Sequence, residues 1–173
     1  MTTIGKAMQE AINEQINKEF FSSYLYLSMA AYFEDKNLMG FGHWMRLQAG
    51  EEREHAMKFY NFILDAGGQV KLKAIESPRT EWKSNLEVAE QVAEHEAKVT
   101  ASIHALYELA LKEKDYAAQI LLQWFITEQV EEEKNAAELV AKLRLIEERG
   151  TAVLMLDHRL SKRGGEDGES AEE

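Results

Sequence analysis

Glu52 and His55 stand three residues apart in the run Glu51-Glu52-Arg53-Glu54-His55. That spacing puts a carboxylate and an imidazole on one face of a helix. Three other segments carry acidic or amide side chains in a comparable setting: Glu19, Glu96, and Gln129 with Glu132. Each lies near the middle of a stripe that steps by alternate threes and fours and is apolar at both ends. Met8, Ile12, Gln15, Glu19, Ser22, Tyr26, Met29 and Phe33 form one such stripe. The second is Phe41, Met45, Gln48, Glu52, His55, Phe59 and Phe62. Leu86, Ala89, Ala93, Glu96, Thr100, Ile103, Tyr107 and Ala110 make the third, and the fourth runs from Ala118 through Gln129 and Glu132 to Ile146.

Midpoints of packed helices meet at one level whichever way the helices run. Four carboxylates, one imidazole and one carboxamide therefore converge on one buried region. A buried, uncompensated carboxylate costs several kcal/mol. Four would exceed the roughly 5–15 kcal/mol of net stability of a whole domain. The stripes hold no Lys or Arg at that level, so bound cations are the simplest compensation. Carboxylate oxygens with a minority of imidazole suit iron or manganese, whereas structural zinc prefers four sulfur or nitrogen ligands. Glu52 is placed to bridge two ions. Taken singly, each feature has a plain explanation. A lone Glu-x-x-His recurs in helices without a metal, a core-stripe Glu often reaches water at the rim, and a protonated or hydrated network can fill a polar centre. Four coincident interruptions favour the metal.

The elements that carry these residues follow from the punctuation. One proline and ten glycines in 173 residues predict long uninterrupted helices, over 5–35, 40–66, 85–113 and 115–148, with a short fifth over 151–162. The first pair and the second pair are joined by a few residues each and read as antiparallel hairpins. About 17 residues, 68–84, separate the hairpins and include Pro78 and a strand-like Val70-Lys71-Leu72. Extended, they reach roughly 56 Å, enough to run the length of a helix of roughly 40 Å. The second and third helices can then lie parallel, in an all-α four-helix bundle with one long crossover. Residues 1–163 form the expected domain; the acidic tail 164–173 has a composition that predicts no packed structure.

Net charge is −11, from 20 basic and 31 acidic residues. That balance repels phosphate backbones and anionic lipid, so no nucleic-acid or membrane partner is expected. Without cysteine there are no disulfides, thiolate metal sites or iron–sulfur clusters. No apolar run suits a signal or a membrane span, which gives the expectation of a cytoplasmic location.

Several runs then resemble the non-haem bacterial and archaeal ferritins across about residues 1–163. They are Glu19-Phe20-Phe21-Ser22-Ser23-Tyr24-Leu25-Tyr26-Leu27-Ser28-Met29-Ala30, Glu51-Glu52-Arg53-Glu54-His55-Ala56-Met57-Lys58, and Gln123-Trp124-Phe125 followed by Glu128-Gln129-Val130-Glu131-Glu132. The resemblance implies a ferroxidase centre within each subunit. Glu19, Glu52 and His55 would hold one iron, and Glu52, Glu96 and Glu132 the other, with Gln129 beside it. Glu51, Glu128 and Glu131 would form a third, cavity-side iron site with Glu132; periodicity alone would make those three a solvated acidic face. Tyr26 and Trp124 match aromatic residues near the centre. The implied reaction oxidises two Fe(II) with O2 or H2O2 and deposits ferric oxyhydroxide inside a shell of 24 subunits of octahedral symmetry. The fifth helix is too short to stand alone and too apolar to stay in water, so it docks either on its own bundle or on neighbouring subunits; the resemblance implies the second, with these helices lining four-fold channels.

Two departures narrow the match. Where di-iron oxygenases and bacterioferritins repeat Glu-x-x-His, this chain has Gln129-Val130-Glu131-Glu132, so its second ion should be held more loosely. Haem-binding bacterioferritins place methionine after the second-helix glutamate, where Arg53 stands here, so no haem is expected. The remaining histidines, His43, His95, His104 and His158, read as surface positions or supports rather than ligands. A di-iron oxygenase on an organic substrate, a DNA-protecting mini-ferritin and a helical interaction module are the competing readings.

Overall fold

The computed structural model describes residues 4–147 and 149–163. The expectation for the tail 164–173 lies outside them. Five helices are present: α1 (Lys6–Asp35), α2 (Met39–Asp65), α3 (Asn85–Glu113), α4 (Tyr116–Ile146) and α5 (Gly150–Leu160). Each boundary falls within two residues of its expected place.

Local chemistry explains several ends. Ser84 caps α3 by accepting from the Glu87 N–H at 3.0 Å, and the Glu87 carboxylate accepts from the Lys83 N–H at 2.6 Å. Asp115 caps α4 by accepting from the Ala118 N–H at 3.0 Å. The turn between α3 and α4 closes with Lys114 in the left-handed region at φ 54°. Such short connections leave each pair no choice but to fold back antiparallel.

The crossover sets the topology. It leaves α2 beside the start of α1, where the Gln69 N–H donates to Gln9 Oε1 and the Lys71 N–H to Asn13 Oδ1. Further on, Ser28 Oγ donates to the Arg79 carbonyl, and Trp82 packs edge-on against Tyr32. From Gln9 to Tyr32 it has travelled roughly 35 Å along α1, so α3 begins at the end where α2 began. The two helices therefore run parallel. The strand-like Val70-Lys71-Leu72 is not a strand: its backbone donor at Lys71 is taken by the Asn13 side chain, and no strand occurs among the described residues. Within those residues, no helix is long and apolar enough to cross a membrane.

Two separate apolar clusters fill the bundle. One joins Leu25 through Phe33 on α1 to Phe41 and Met45, Val88 and Val92, Leu139 and Leu143, and Val153 and Leu156 of α5. The other joins Met8 through Ile16 to Phe59 and Ile63, Val99 through Leu106, and Leu122 and Phe125. The gap between them falls at Glu19, Glu52, Glu96 and Gln129. The core is divided by a polar layer.

On α3 the buried row is Val88, Ala89, Val92, Glu96, Val99, Ile103, Leu106 and Ala110. The expected row shared Ala89, Glu96, Ile103 and Ala110 but took Ala93, Thr100 and Tyr107 in place of the valines and Leu106. Branched apolar side chains gain more from burial than a hydroxyl-bearing pair, so the helix is turned toward them.

Candidate metal centre

Ligand atoms of Glu19, Glu52 and His55 lie within 4.8 Å of one another, and all three residues are buried. Glu19 comes from α1 and faces the Glu-x-x-His pair of α2 across the first hairpin. Glu52 Oε2 stands 3.8 Å from His55 Nδ1. Glu19 Oε1 accepts from Gln15 Nε2 at 2.8 Å. Neither Glu19 Oε2 nor Glu52 Oε2 has a hydrogen-bond partner, although both are buried. Two unpartnered carboxylate oxygens beside an imidazole form a donor set that fits a cation. No Lys or Arg is buried among the described residues.

The second hairpin supplies the rest of the layer. Glu96 on α3 is 0% exposed, accepts the Tyr26 hydroxyl proton from α1, and lies 3.2 Å from Gln129 Nε2 of α4. That amide also reaches Thr100 Oγ1 at 3.2 Å. Glu132 is 8% exposed, and its Oε2 accepts from Gln48 Nε2 at 3.0 Å. Among the described residues Glu52, Glu96 and Glu132 form no group as tight as the first, and Glu96 and Glu132 each accept from donors of their own. The sequence reading gave Gln48 and Thr100 no role; both were visible as polar interruptions of a stripe.

Electrostatics record the cost of the cluster. Burial, and then the neighbouring charge of Glu52, hold the Glu19 carboxyl well above its usual range. Glu52 is raised the same way, by burial and then by Glu96. Burial raises Glu96 too, against the pull of the Tyr26 and Gln129 donors. Glu132 is pushed up to about 7, by burial first and then by Glu96 and Glu51. Such a layer holds protons or metal ions, not bare charge.

Outside it, Glu51 and Glu131 are exposed and Glu128 is half-buried. They line an open depression of about 560 Å³ whose floor includes His55 and Glu132. Burial raises the Glu51 carboxyl, with Arg163 and His55 opposing and Glu128 and Glu131 adding to it. This face, which also carries Arg46, Arg53 and Arg163, adjoins the polar layer at His55 and Glu132. Trp124 stands edge-on to His55 at 5.5 Å between ring centroids, and the Lys58 ammonium lies over the Trp124 ring, 3.9 Å from its centroid.

Of the other histidines, His95 is half-buried, accepts or donates at Ser22 Oγ over 2.7 Å, and lies edge-on to Tyr26 at 6.3 Å. Burial holds it down to about 4. His43 meets the Arg163 carbonyl at 3.0 Å, and His104 and His158 are exposed.

The fifth helix docks on its own bundle. Val153 and Leu156 enter the first apolar cluster, and Asp157 Oδ1 accepts from the Phe41 N–H at 2.9 Å. Its outer face leaves Leu154 60% and Met155 71% exposed.

This architecture has known counterparts. The family model for the ferritin-like domain matches residues 9–146. A bacterial non-heme ferritin of Bacteroides fragilis is 42% identical over 160 residues, covering 92% of this chain and 99% of that protein. Another, of Campylobacter jejuni, is 37% identical over 89% of this chain and 92% of its own length. Among solved structures, an open-pore ferritin of the archaeon Archaeoglobus fulgidus is 53% identical, with a TM-score of 0.92 and coverage of 94% and 99%. Built as a bundle with one long crossover and a divided core, and matched along most of its length, the chain belongs to the ferritin family.

Proposed function

We propose that this chain stores and detoxifies iron, oxidising Fe(II) at a paired site in each subunit and passing the product into a hollow shell. The observation that carries this reading is the buried group Glu19, Glu52 and His55 with its two unpartnered carboxylate oxygens. The similarity to non-heme ferritins supports it.

In this reading Glu19 and His55 hold one ferrous ion and Glu96 and Glu132 the second, with Glu52 between them and Gln129 alongside. Each ion loses one electron to O2 or H2O2. The carboxylates neutralise the charge that grows on the ions, and binding releases the protons that burial retains on them. The half of the site facing α4 has a carboxamide, Gln129, where an imidazole would bind more firmly, so that ion leaves more readily. Glu51, Glu128 and Glu131 form a third, weaker station along the open depression. Tyr26 fixes Glu96, and Trp124 fixes the His55 ring. No haem takes part.

The exposed Leu154 and Met155 are apolar area that neighbours in a shell of 24 subunits would cover. One solved relative is described as an open-pore ferritin, and a closed form of that ferritin was engineered by site-directed mutagenesis. The acidic depression would then face the interior and nucleate mineral. With this reading goes a cytoplasmic location for the chain.

Stopped-flow oxidation of Fe(II) by the purified shell tests the reading. His55→Ala together with Glu52→Ala should abolish the fast phase while light scattering still reports an assembled particle. An unchanged initial rate would refute the site.

A further inference from the structure

A line of hydrogen bonds runs from solvent to the buried centre through two helices. The Lys18 ammonium donates to Ser102 Oγ at 2.6 Å, Ser102 Oγ donates to Gln15 Oε1 at 2.6 Å, and Gln15 Nε2 donates to Glu19 Oε1 at 2.8 Å. Lys18, Gln15 and Glu19 belong to α1, whereas Ser102 belongs to α3. The outer end opens on a cleft of about 820 Å³ lined by Lys18 and Ser102. That cleft lies apart from the acidic depression at His55 and Glu132.

The direction of the line follows from its first member. An ammonium group only donates, so Ser102 Oγ accepts there and has a single proton left to give. That proton goes to Gln15 Oε1, which fixes which end of the carboxamide is oxygen. The N–H end then faces Glu19. A carboxamide without such a fix can turn over and set oxygen against oxygen. With Oε1 of Glu19 engaged, the carboxylate cannot rotate freely, and Oε2 is the oxygen left unpartnered beside Glu52 and His55.

We infer that Gln15 is the positioning residue for Glu19, its sense set by Ser102 and Lys18, and that it fixes how tightly the His55-side ion is held. This rests on the paired metal site proposed above. Gln15 would not touch the ion; it acts by presenting one oxygen of Glu19 at a fixed angle.

Anaerobic titration of the assembled, metal-free protein with Co(II), followed by its visible absorption, tests the inference without any oxidation step. In the wild type the tighter binding step is the one that His55→Ala removes. Gln15→Leu should weaken that step roughly 10–100-fold, the usual effect of removing a group that orients a ligand. Ser102→Val should do the same in milder form, while Ser102→Thr, equal in shape to valine but retaining the hydroxyl, should bind as the wild type does. Packing alone would not separate valine from threonine. Equal affinity in the valine and threonine variants would overturn the inference and leave the centre standing. Should the wild type take up no Co(II), the centre itself fails, and the inference with it.

Discussion

The hydroxyl of Tyr26 on α1 donates to the carboxylate of Glu96 on α3, joining the two hairpins inside the polar layer. From the other side the Gln129 amide of α4 donates to the same carboxylate. Tyr26→Phe removes a donor from a fully buried acid and leaves the ring's packing intact. Burial already raises Glu96 and the tyrosine bond lowers it, so its loss moves the acid further up. Occupation of the ion site at Glu96 should then require a higher pH than in the wild type. Metal-binding isotherms at a series of pH values would show the displacement, and identical pH midpoints would count against this role for Tyr26.

Glu52→Gln should make the metal-free protein more stable while making metal unable to stabilise it. The residue is raised by burial and by the neighbouring charge of Glu96, so a neutral isostere relieves a standing cost. A gain on the order of 1–3 kcal/mol is expected near pH 8. Thermal unfolding with and without Zn(II) measures both halves. A metal-free variant less stable than the wild type would show that Glu52 is held by something other than an ion.

The metal-free protein should lose stability as pH rises from the ordinary carboxylate value of 4.5 to about 7. Glu132 is the clearest case, being pushed up to about 7 in the folded chain. Below 4.5 the acid is protonated in both states. Between the two values the unfolded chain gives up its proton and the folded chain keeps it, so unfolding is favoured. Glu132 alone contributes a loss on the order of 3 kcal/mol across that window. Glu19, Glu52 and Glu96 shift in the same direction. Bound metal should reverse the slope, because ions replace the protons. Urea unfolding at stepped pH, with and without metal, would reveal it; parallel curves would contradict it.

A Cβ on Gly40 would stand 1.7 Å from the Asp157 carbonyl oxygen, whereas one on Gly50 would meet nothing within 4 Å. The obstacle at Gly40 is backbone, which cannot swing aside. Gly40→Ala should expel α5 from the start of α2 at a cost of about 1–3 kcal/mol. Gly50→Ala, within a helix and facing open space, should gain about 0.5–1 kcal/mol. Limited proteolysis around residues 147–149 together with thermal unfolding separates the two. Equal behaviour of the two variants would mean that α5 is not seated as described.

The helices and their pairing were legible because one proline and few glycines leave little else for the chain to do, and because short connections force hairpins. The polar layer was legible for a similar reason: Glu19, Glu52, Glu96 and Glu132 break periodic stripes, and periodicity needs no neighbour to be seen. What pairs across helices left weaker traces. Gln15 and Glu19 stand four apart on one helix, a spacing that brings side chains together, yet nothing local showed that Gln48 meets Glu132. The contact of Asp157 with the Phe41 N–H joins residues far apart in the chain and has no spacing to betray it. Val70-Lys71-Leu72 carried the composition of a strand, but strand pairing needs a second strand, and the Asn13 side chain took the Lys71 donor instead.

Anomalous diffraction at the iron edge, on crystals soaked anaerobically in ferrous salt, addresses the centre most directly. Two peaks per subunit are expected, one among Glu19, Glu52 and His55 and the other among Glu52, Glu96 and Glu132. Density confined to the outer acidic residues Glu51, Glu128 and Glu131, with the inner carboxylates unliganded, would contradict it.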